Sequence, residues 1–225
     1  MKFRKEVTPF ILIALALYAL ILLSGVLFKW MDLKAFGISS AVFAVLIGYF
    51  FYFFRDPERI DTNTDPLAII AGADGVLACI KEVDEPRHIK GPALRVSIFL
   101  SAFNVHVNRA PIAGKVRFLQ YYPGKCLFAF TEKSSDVNQH SAIVIENQHT
   151  TCLVHQLVGP LARRVVYWLD VGQDIRRADR VGMMKFGSRM DVYFPVDDIE
   201  LTCKVGDKMK AGLSVLGRIR EKKDL

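Results

Sequence analysis

Two stretches without a charged residue limit what this chain can become. Phe10 to Phe28 (FILIALALYALILLSGVLF) runs for 19 residues and Ala35 to Phe54 (AFGISSAVFAVLIGYFFYFF) for 20, with six residues between them. At a helical rise of about 1.5 Å per residue, each run crosses a hydrocarbon layer of roughly 30 Å. Residues 1–60 are therefore expected to form a membrane hairpin, with helices at about 10–28 and 35–54. A cleaved secretory leader has an apolar core of about 7 to 15 residues followed by small residues. Here a second apolar run follows instead, so the segment is expected to be retained. Lys2, Arg4 and Lys5 precede the first run and Arg55 and Arg59 follow the second, while only Lys29 and Lys34 occupy the loop between them. That asymmetry places both ends on the cytoplasmic face of the cell membrane.

Beyond the hairpin the chemistry changes. The whole chain of 225 residues carries 30 Lys+Arg against 23 Asp+Glu, and 52% of it is hydrophobic. With seven basic and four acidic residues in Met1–Ile60, the remainder keeps 23 against 19. Such mild charge with ample apolar content excludes a disordered chain, and no nucleic-acid partner is expected without a concentrated basic stripe. Residues 61–225 suffice for one domain with its own core. Cys79, Cys126, Cys152 and Cys203 are scattered without C-x-x-C spacing, a pattern of packing thiols in a reducing compartment, with no metal site expected.

Asp61 to Pro66 (DTNTDP) reads as a short polar linker, with the soluble domain starting near Leu67. Leu94–Leu100, Lys115–Tyr122, Ala142–Glu146, Cys152–Val158 and Val165–Leu169 are short β-branched or aromatic runs separated by Gly, Pro and Asn. No long stretch of helical periodicity interrupts them, so the expected fold is mainly β, a β-rich α+β domain of antiparallel strands with one or two short helices. Val171–Gly182 (VGQDIRRADRVG) and Val205–Val215 (VGDKMKAGLSV) resemble each other weakly. Both read as glycine-dependent hairpins like those of biotinyl and lipoyl carrier domains. Neither has the Met-Lys-Met tip that carriers modify.

Phosphate loops of the G-x-x-x-x-G-K-[ST] type, G-x-G-x-x-G after a strand and H-E-x-x-H are all absent. Of the five histidines, His106 stands in an apolar alternation flanked by Asn104, Asn108 and Arg109, whereas His140 and His149 lie in polar, loop-like text. Ser188 follows Gly187 between two strand-like pieces, but its surroundings, F-G-S-R-M, are not the G-x-S-x-G elbow of an α/β-hydrolase.

Four segments occur in fixed order: FFRDPER directly after the hairpin, AGADG at Ala71–Gly75, FNVHVNRAP at Phe103–Pro111, and FGSRMDVYFP ending at Pro195. Together with the block GPLARRVVYWLDVGQDIRRADRVGMMKFGS, they closely resemble the pyruvoyl-dependent phosphatidylserine decarboxylase proenzymes, in the short form with an N-terminal membrane hairpin. The resemblance runs from about Phe51 to Leu216. It implies a precursor that cuts itself between Gly187 and Ser188, giving a large chain (1–187) and a small chain (188–225) that stay together as a heterodimer; a homo-oligomer is left open. Attack of the Ser188 hydroxyl on the Gly187 carbonyl would exchange the amide for an ester, and β-elimination and hydrolysis would leave a pyruvoyl group with loss of ammonia. Glycine beside the serine suits the bent backbone that attack requires. The resemblance implies His106 as the base that takes the serine proton and Asp74 as the carboxylate orienting it, a Ser-His-Asp arrangement used once, on the protein itself.

The mature group, pyruvate held covalently, would form a Schiff base with the amine of phosphatidylserine and act as electron sink while carbon dioxide leaves, giving phosphatidylethanolamine. His106 is a candidate for the subsequent proton transfer. The hairpin would keep the domain where a diacyl lipid resides, and Arg55 and Arg59 could favour an anionic leaflet. One departure stands out: Asp136–Ser141 reads DVNQHS where relatives commonly have a D-N-E-R-N type stretch, with only Asn138 in register. Substrate-contact residues are not legible. An archaetidylserine decarboxylase of the same mechanism, a non-catalytic membrane-anchored β adaptor and a serine hydrolase using an intact Ser188 are the alternatives.

Overall fold

A computed structural model of the chain describes residues 1–124, 138–159, 165–185 and 187–221. Cys126 and the first two residues of the DVNQHS stretch lie outside the described residues. The chain divides into two compact units, Met1–Glu58 and Arg59–Leu225.

The first unit contains α1 (Thr8–Leu27) and α2 (Leu33–Phe53), framed by a two-stranded ribbon of β1 (Lys2–Phe3) and β2 (Arg55–Asp56). Pro9 in the first turn opens α1, and Asp32 caps α2 by accepting the Ala35 N–H at 2.7 Å. Between the helices Tyr18 stacks on Phe43 and hydrogen-bonds Ser40 at 2.6 Å. Leu12, Ile13 and Leu20 of α1 and Ile38, Val42 and Val45 of α2 stand exposed. Helices of 20 and 21 residues with apolar side chains turned outward are long and apolar enough to cross a bilayer.

The second unit is β-rich. Its strands are β3 (Ala68–Ile70), β4 (Gly75–Glu85), β5 (Gly91–Leu100), β6 (Val107–Arg109), β7 (Gly114–Tyr122), β8 (His140–Glu146), β9 (Thr151–Val158), β10 (Val166–Tyr167), β11 (Asp174–Ile175), β12 (Arg180–Met183), β13 (Ser188–Pro195), β14 (Ile199–Leu201), β15 (Lys208–Met209) and β16 (Val215–Ile219). An eight-stranded antiparallel sheet runs β11-β7-β8-β9-β13-β5-β4-β15, flanked by three-stranded sheets β10-β12-β6 and β14-β16-β3. Strand alternation separates two faces. Val96, Ile98 and Leu100 of β5 join Met190, Val192 and Phe194 of β13 in the main core, while the intervening Arg95, Ser97, Arg189, Asp191 and Tyr193 belong to the other face.

The weakly similar segments share one backbone plan of turn, two-residue strand, turn and strand. Positive φ falls at Gly172 and Ala178 in the first (90° and 69°) and 34 residues later at Gly206 and Gly212 in the second (97° and 77°). In each, the two strands pair outward into different sheets. Their anchors also correspond. Gly172 donates to the Val116 carbonyl and Ala178 to that of Ala110, while Gly206 donates to Leu77 and Gly212 to Ala71. The second unit thus contains an internal pseudo-repeat, Ala71–Leu77 with the second of these segments and Ala110–Val116 with the first. Gly75 and Gly114 are required at equivalent strand starts, where an added Cβ would fall 2.0 Å from the Phe99 carbonyl oxygen and 2.5 Å from that of Glu146.

The expected polar linker is instead fastened to the domain. Asp61, Asn63 and Asp65 form successive Asx turns, their side chains accepting the N–H groups of Asn63, Asp65 and Leu67. Arg177 binds the Asp61 carboxylate and the carbonyls of Asn63, Asp65 and Ala68. Polarity here reflects local backbone capping, which sequence alone cannot tell from solvation.

Candidate active site

Two of the four ordered motifs, FFRDPER and AGADG, meet at one buried carboxylate. Asp74, in the turn leading into β4, receives Arg59 Nη2 on Oδ2 at 2.8 Å and Arg59 Nη1 on Oδ1 at 2.5 Å; the Ala211 N–H also donates to Oδ1, at 2.8 Å. Arg59 Nη1 further donates to the Ala211 carbonyl at 2.7 Å. With the Arg59 and Asp74 side chains only 9% and 11% exposed, this bidentate pair is a fixed structural joint. Arg59 was expected to face solvent and an anionic leaflet; its guanidinium is committed to Asp74 instead. Arg55 lies over the Tyr52 ring, 3.7 Å from its centre.

The Ala-Gly motif and the Asn-Arg-Ala-Pro motif are laced together by backbone. Arg109 N–H donates to the Gly72 carbonyl and Ile70 N–H to that of Pro111. Gly72 admits no side chain, because a Cβ would sit 2.3 Å from Met190 Cε and 2.9 Å from the Arg109 carbonyl oxygen. Met190 belongs to the strand that Ser188 begins, so AGADG, HVNRAP and GSRMDV form one packed unit.

His106 is fully buried, and its Nδ1 lies 3.0 Å from the Asn104 carbonyl. A carbonyl can only accept, so Nδ1 carries the proton and a neutral ring keeps Nε2 as its acceptor atom. Among the described residues Asp74 bonds Arg59 and Ala211, and none of its hydrogen bonds goes to His106. The carboxylate–imidazole bond implied by the resemblance is replaced by the Asn104 carbonyl. Asp74 and Asn104 nevertheless line one cleft of about 540 Å³, together with Ser101, Lys208 and Lys210. Ser101 and Asn104 rigidify its rim, the Asn104 carboxamide oxygen accepting both Ser101 N–H and Oγ–H.

Strand pairing ties His106 to the segment that precedes the serine in sequence. Val107 faces Met183, and Met184 N–H donates to the His106 carbonyl at 3.2 Å. Four residues on, Ser188 opens β13, wholly buried between Leu100 of β5 and Val158 of β9. Its Oγ points to the Lys185 carbonyl at 3.4 Å. Gly187 has φ of 71°, and among the described residues nothing lies within 4 Å of where its Cβ would be. Its carbonyl oxygen accepts the Gly159 N–H at 3.2 Å.

The departing DVNQHS stretch buttresses this junction. Asn138 Nδ2 donates to the Val158 carbonyl at 3.2 Å, and Ser141 Oγ donates to Gln156 Oε1, whose Nε2 donates to Asn108 of the His106 motif. Gly159, Asn104 and the pairing of Arg59 with Asp74 were not legible beforehand, because the contributions of the first two are backbone groups and the third spans distant segments. The motif FFRDPER signalled only that its arginines mattered.

The comparisons with known proteins agree with this assembly. The phosphatidylserine decarboxylase family profile matches residues 46–217. The phosphatidylserine decarboxylase proenzyme of Desulfotalea psychrophila is 43% identical over 183 residues, covering 81% of this chain and 85% of that protein. The proenzyme of Carboxydothermus hydrogenoformans is 38% identical over 205 residues, 91% and 92% of the two chains. That of Amoebophilus asiaticus is 36% identical over 215 residues, 95% and 93%. With a family match over most of its length and the family's motifs folded into one interlocked site, the chain belongs to the phosphatidylserine decarboxylase family.

Proposed function

We propose that this protein is a membrane-held proenzyme that cuts itself at Gly187–Ser188 and then decarboxylates phosphatidylserine to phosphatidylethanolamine. The carrying observation is the Gly187–Ser188 junction itself. A buried hydroxyl follows a glycine of positive φ, and the carbonyl to be attacked already receives a backbone N–H from Gly159. A donor fixed on that oxygen stabilises the charge that builds there during attack. His106 takes the Ser188 proton through Nε2, the atom its bond to Asn104 leaves basic. Asp74 acts by locking Arg59 and Ala211, which holds the cleft wall beside Asn104.

Ser188 has the β-hydroxyl that conversion to a pyruvoyl group needs, and its buried surroundings shield the product from water. Formed there, that group would supply an electrophilic carbonyl for the substrate amine and a sink for the electrons released with carbon dioxide. His106 serves as the proton donor to the decarboxylated carbon. The small chain remains bound as half of a heterodimer, since β13 stays paired along its length with β5 and from Ser188 to Tyr193 with β9. The flanking basic residues favour the cytoplasmic face.

Intact mass under denaturing conditions tests this, beside a Ser188→Ala control. Wild type is expected as a 187-residue and a 38-residue piece, the smaller lighter than encoded by one ammonia, and the control as a single 25.4 kDa chain. A small piece beginning with ordinary serine would overturn the cofactor assignment.

A further inference from the structure

The sheet face opposite the main core contains a second cavity that the self-cleavage reaction does not use. Its residues follow from register. Across β13, β5 and β4, Tyr193 faces Arg95, which faces Lys81; Asp191 faces Ser97, which faces Cys79; and Arg189 faces Phe99, which faces Val76. Apart from Tyr193 and Asp191, these rows wall a cavity of about 560 Å³, of a size that takes a small ligand. Lys81, Arg95 and Arg189 line it, with Ser97, Cys79 and Ala78 between them.

Arg95 and Arg189 are 6% and 4% exposed, far below what is usual for arginine. Arg189 is fixed by Asp191, with Nε 2.9 Å from Oδ1 and Nη2 3.1 Å from Oδ2. Among the described residues the cavity thus gathers three cations, with one carboxylate behind them. Buried guanidinium groups, one of them held by a carboxylate, suit a tetrahedral oxyanion, which a guanidinium edge engages through hydrogen bonds.

The cavity adjoins the chemistry at two points. Arg189 is bonded directly to Ser188, and the Val76–Phe99 pair forms a wall shared with the cleft of Asp74 and Asn104. Resting on the function proposed above, we infer that this cavity binds the phosphodiester oxyanion of the lipid headgroup, holding substrate and product by the group they share. Lys81 guides the anion at the rim and the two arginines receive it.

The full-length protein in detergent micelles tests the assignment by kinetics and by footprinting. Lys81 and Ala78 are exposed on β4, so Lys81→Gln and Ala78→Glu should fold and self-cleave like wild type. Each is expected to raise KM for phosphatidylserine by roughly five-fold, Lys81→Gln through a lost positive charge and Ala78→Glu through an added negative one, with kcat retained and with Lys81→Arg restoring KM. Independently, alkylation of the half-buried Cys79 by iodoacetamide, read by peptide mass, should be slowed by glycerophosphoethanolamine at concentrations where inorganic phosphate or ethanolamine alone does little. Protection by inorganic phosphate but not by the headgroup would assign the cavity to free phosphate and overturn the inference. Unchanged KM in both variants, with Cys79 alkylated at the same rate throughout, would also overturn it. Wild-type protein that neither cleaves nor decarboxylates would refute the proposed function instead, and the Cys79 footprint would still report on the cavity.

Discussion

The Gly159 nitrogen lies 3.2 Å from the carbonyl oxygen of Gly187, the group that the proposed self-cleavage would attack. Replacing a hydrogen-bond donor at such an oxygen typically costs about 10²–10³ in rate. Gly159→Pro, which removes the N–H, should slow self-cleavage on that scale, whereas Gly159→Ala, which keeps it, should process far faster than the proline variant. The appearance of the 38-residue piece over time decides between them, and equal rates would remove Gly159 from the mechanism.

Arg59 and Asp74 are a buried pair whose partners cannot be exchanged for water. Removing one member of such a pair costs roughly 3–5 kcal/mol. Arg59→Met should therefore lower the denaturation midpoint of a Ser188→Ala precursor markedly. Asp74→Asn, which keeps an acceptor for Ala211, should be milder. Thermal unfolding of the two variants in the same detergent is the comparison to make; a midpoint unchanged by Arg59→Met would show the joint to be dispensable.

Two glycines are needed for different physical reasons. Gly72→Ala places a methyl against Met190 and the Arg109 carbonyl, an overpacking that should cost about 1–3 kcal/mol of stability. Gly187→Ala meets no contact among the described residues but must hold φ near 71°, strained for alanine by about 1–2 kcal/mol. Its effect should appear in the cleavage rate as well as in an unfolding midpoint lowered on that scale. Mass spectrometry and thermal unfolding together separate the two.

The ring of His155 lies between those of His140 and Tyr193, with centroids at 4.5 Å and 5.0 Å. Burial first, then His140, His88 and Arg87, hold its pKa well below 6.5. Asp191 faces it across the strands but is engaged by Arg189. The folded protein keeps His155 neutral where the unfolded chain would protonate it. Stability is therefore full above pH 6.5 and declines as the pH falls below that value. His155→Leu should flatten this acid limb of a stability–pH curve; an unchanged limb would place its origin elsewhere.

Much of this fold was legible because short strands announce themselves by β-branched residues between turn signals. The runs at Leu94–Leu100, Lys115–Tyr122 and Cys152–Val158 fall within β5, β7 and β9. The strand Gly75–Glu85 was less visible, since its sequence GVLACIKEVDE alternates poorly and its register shifts between Leu77 and Cys79. The repeat at 34 residues showed through its glycines. Its counterpart between Ala71–Leu77 and Ala110–Val116 did not, because only an alanine and a glycine are shared and the likeness resides in backbone hydrogen bonds. Within that repeat Ala113 stands where the other half has Asp74, so the carboxylate is a local specialisation of one copy. For the site, motif order pointed to the serine, histidine and aspartate. The partners of Asp74 and His106 needed coordinates, because residues 59, 74 and 211 meet only through the folded chain.

Ser188 heads β13, which runs between β9 and β5 in the interior of the largest sheet. On the proposed cleavage, the small chain would be a segment laid into its place while still continuous with the rest. Once severed, it could regain that position only by a bimolecular insertion between two strands that would otherwise close on each other. The uncut precursor would then serve as a single-use folding template. The mature enzyme, once fully denatured and diluted, should fail to recover, and its working lifetime would be set by the rate at which β13 escapes, not by any balance with an unfolded form.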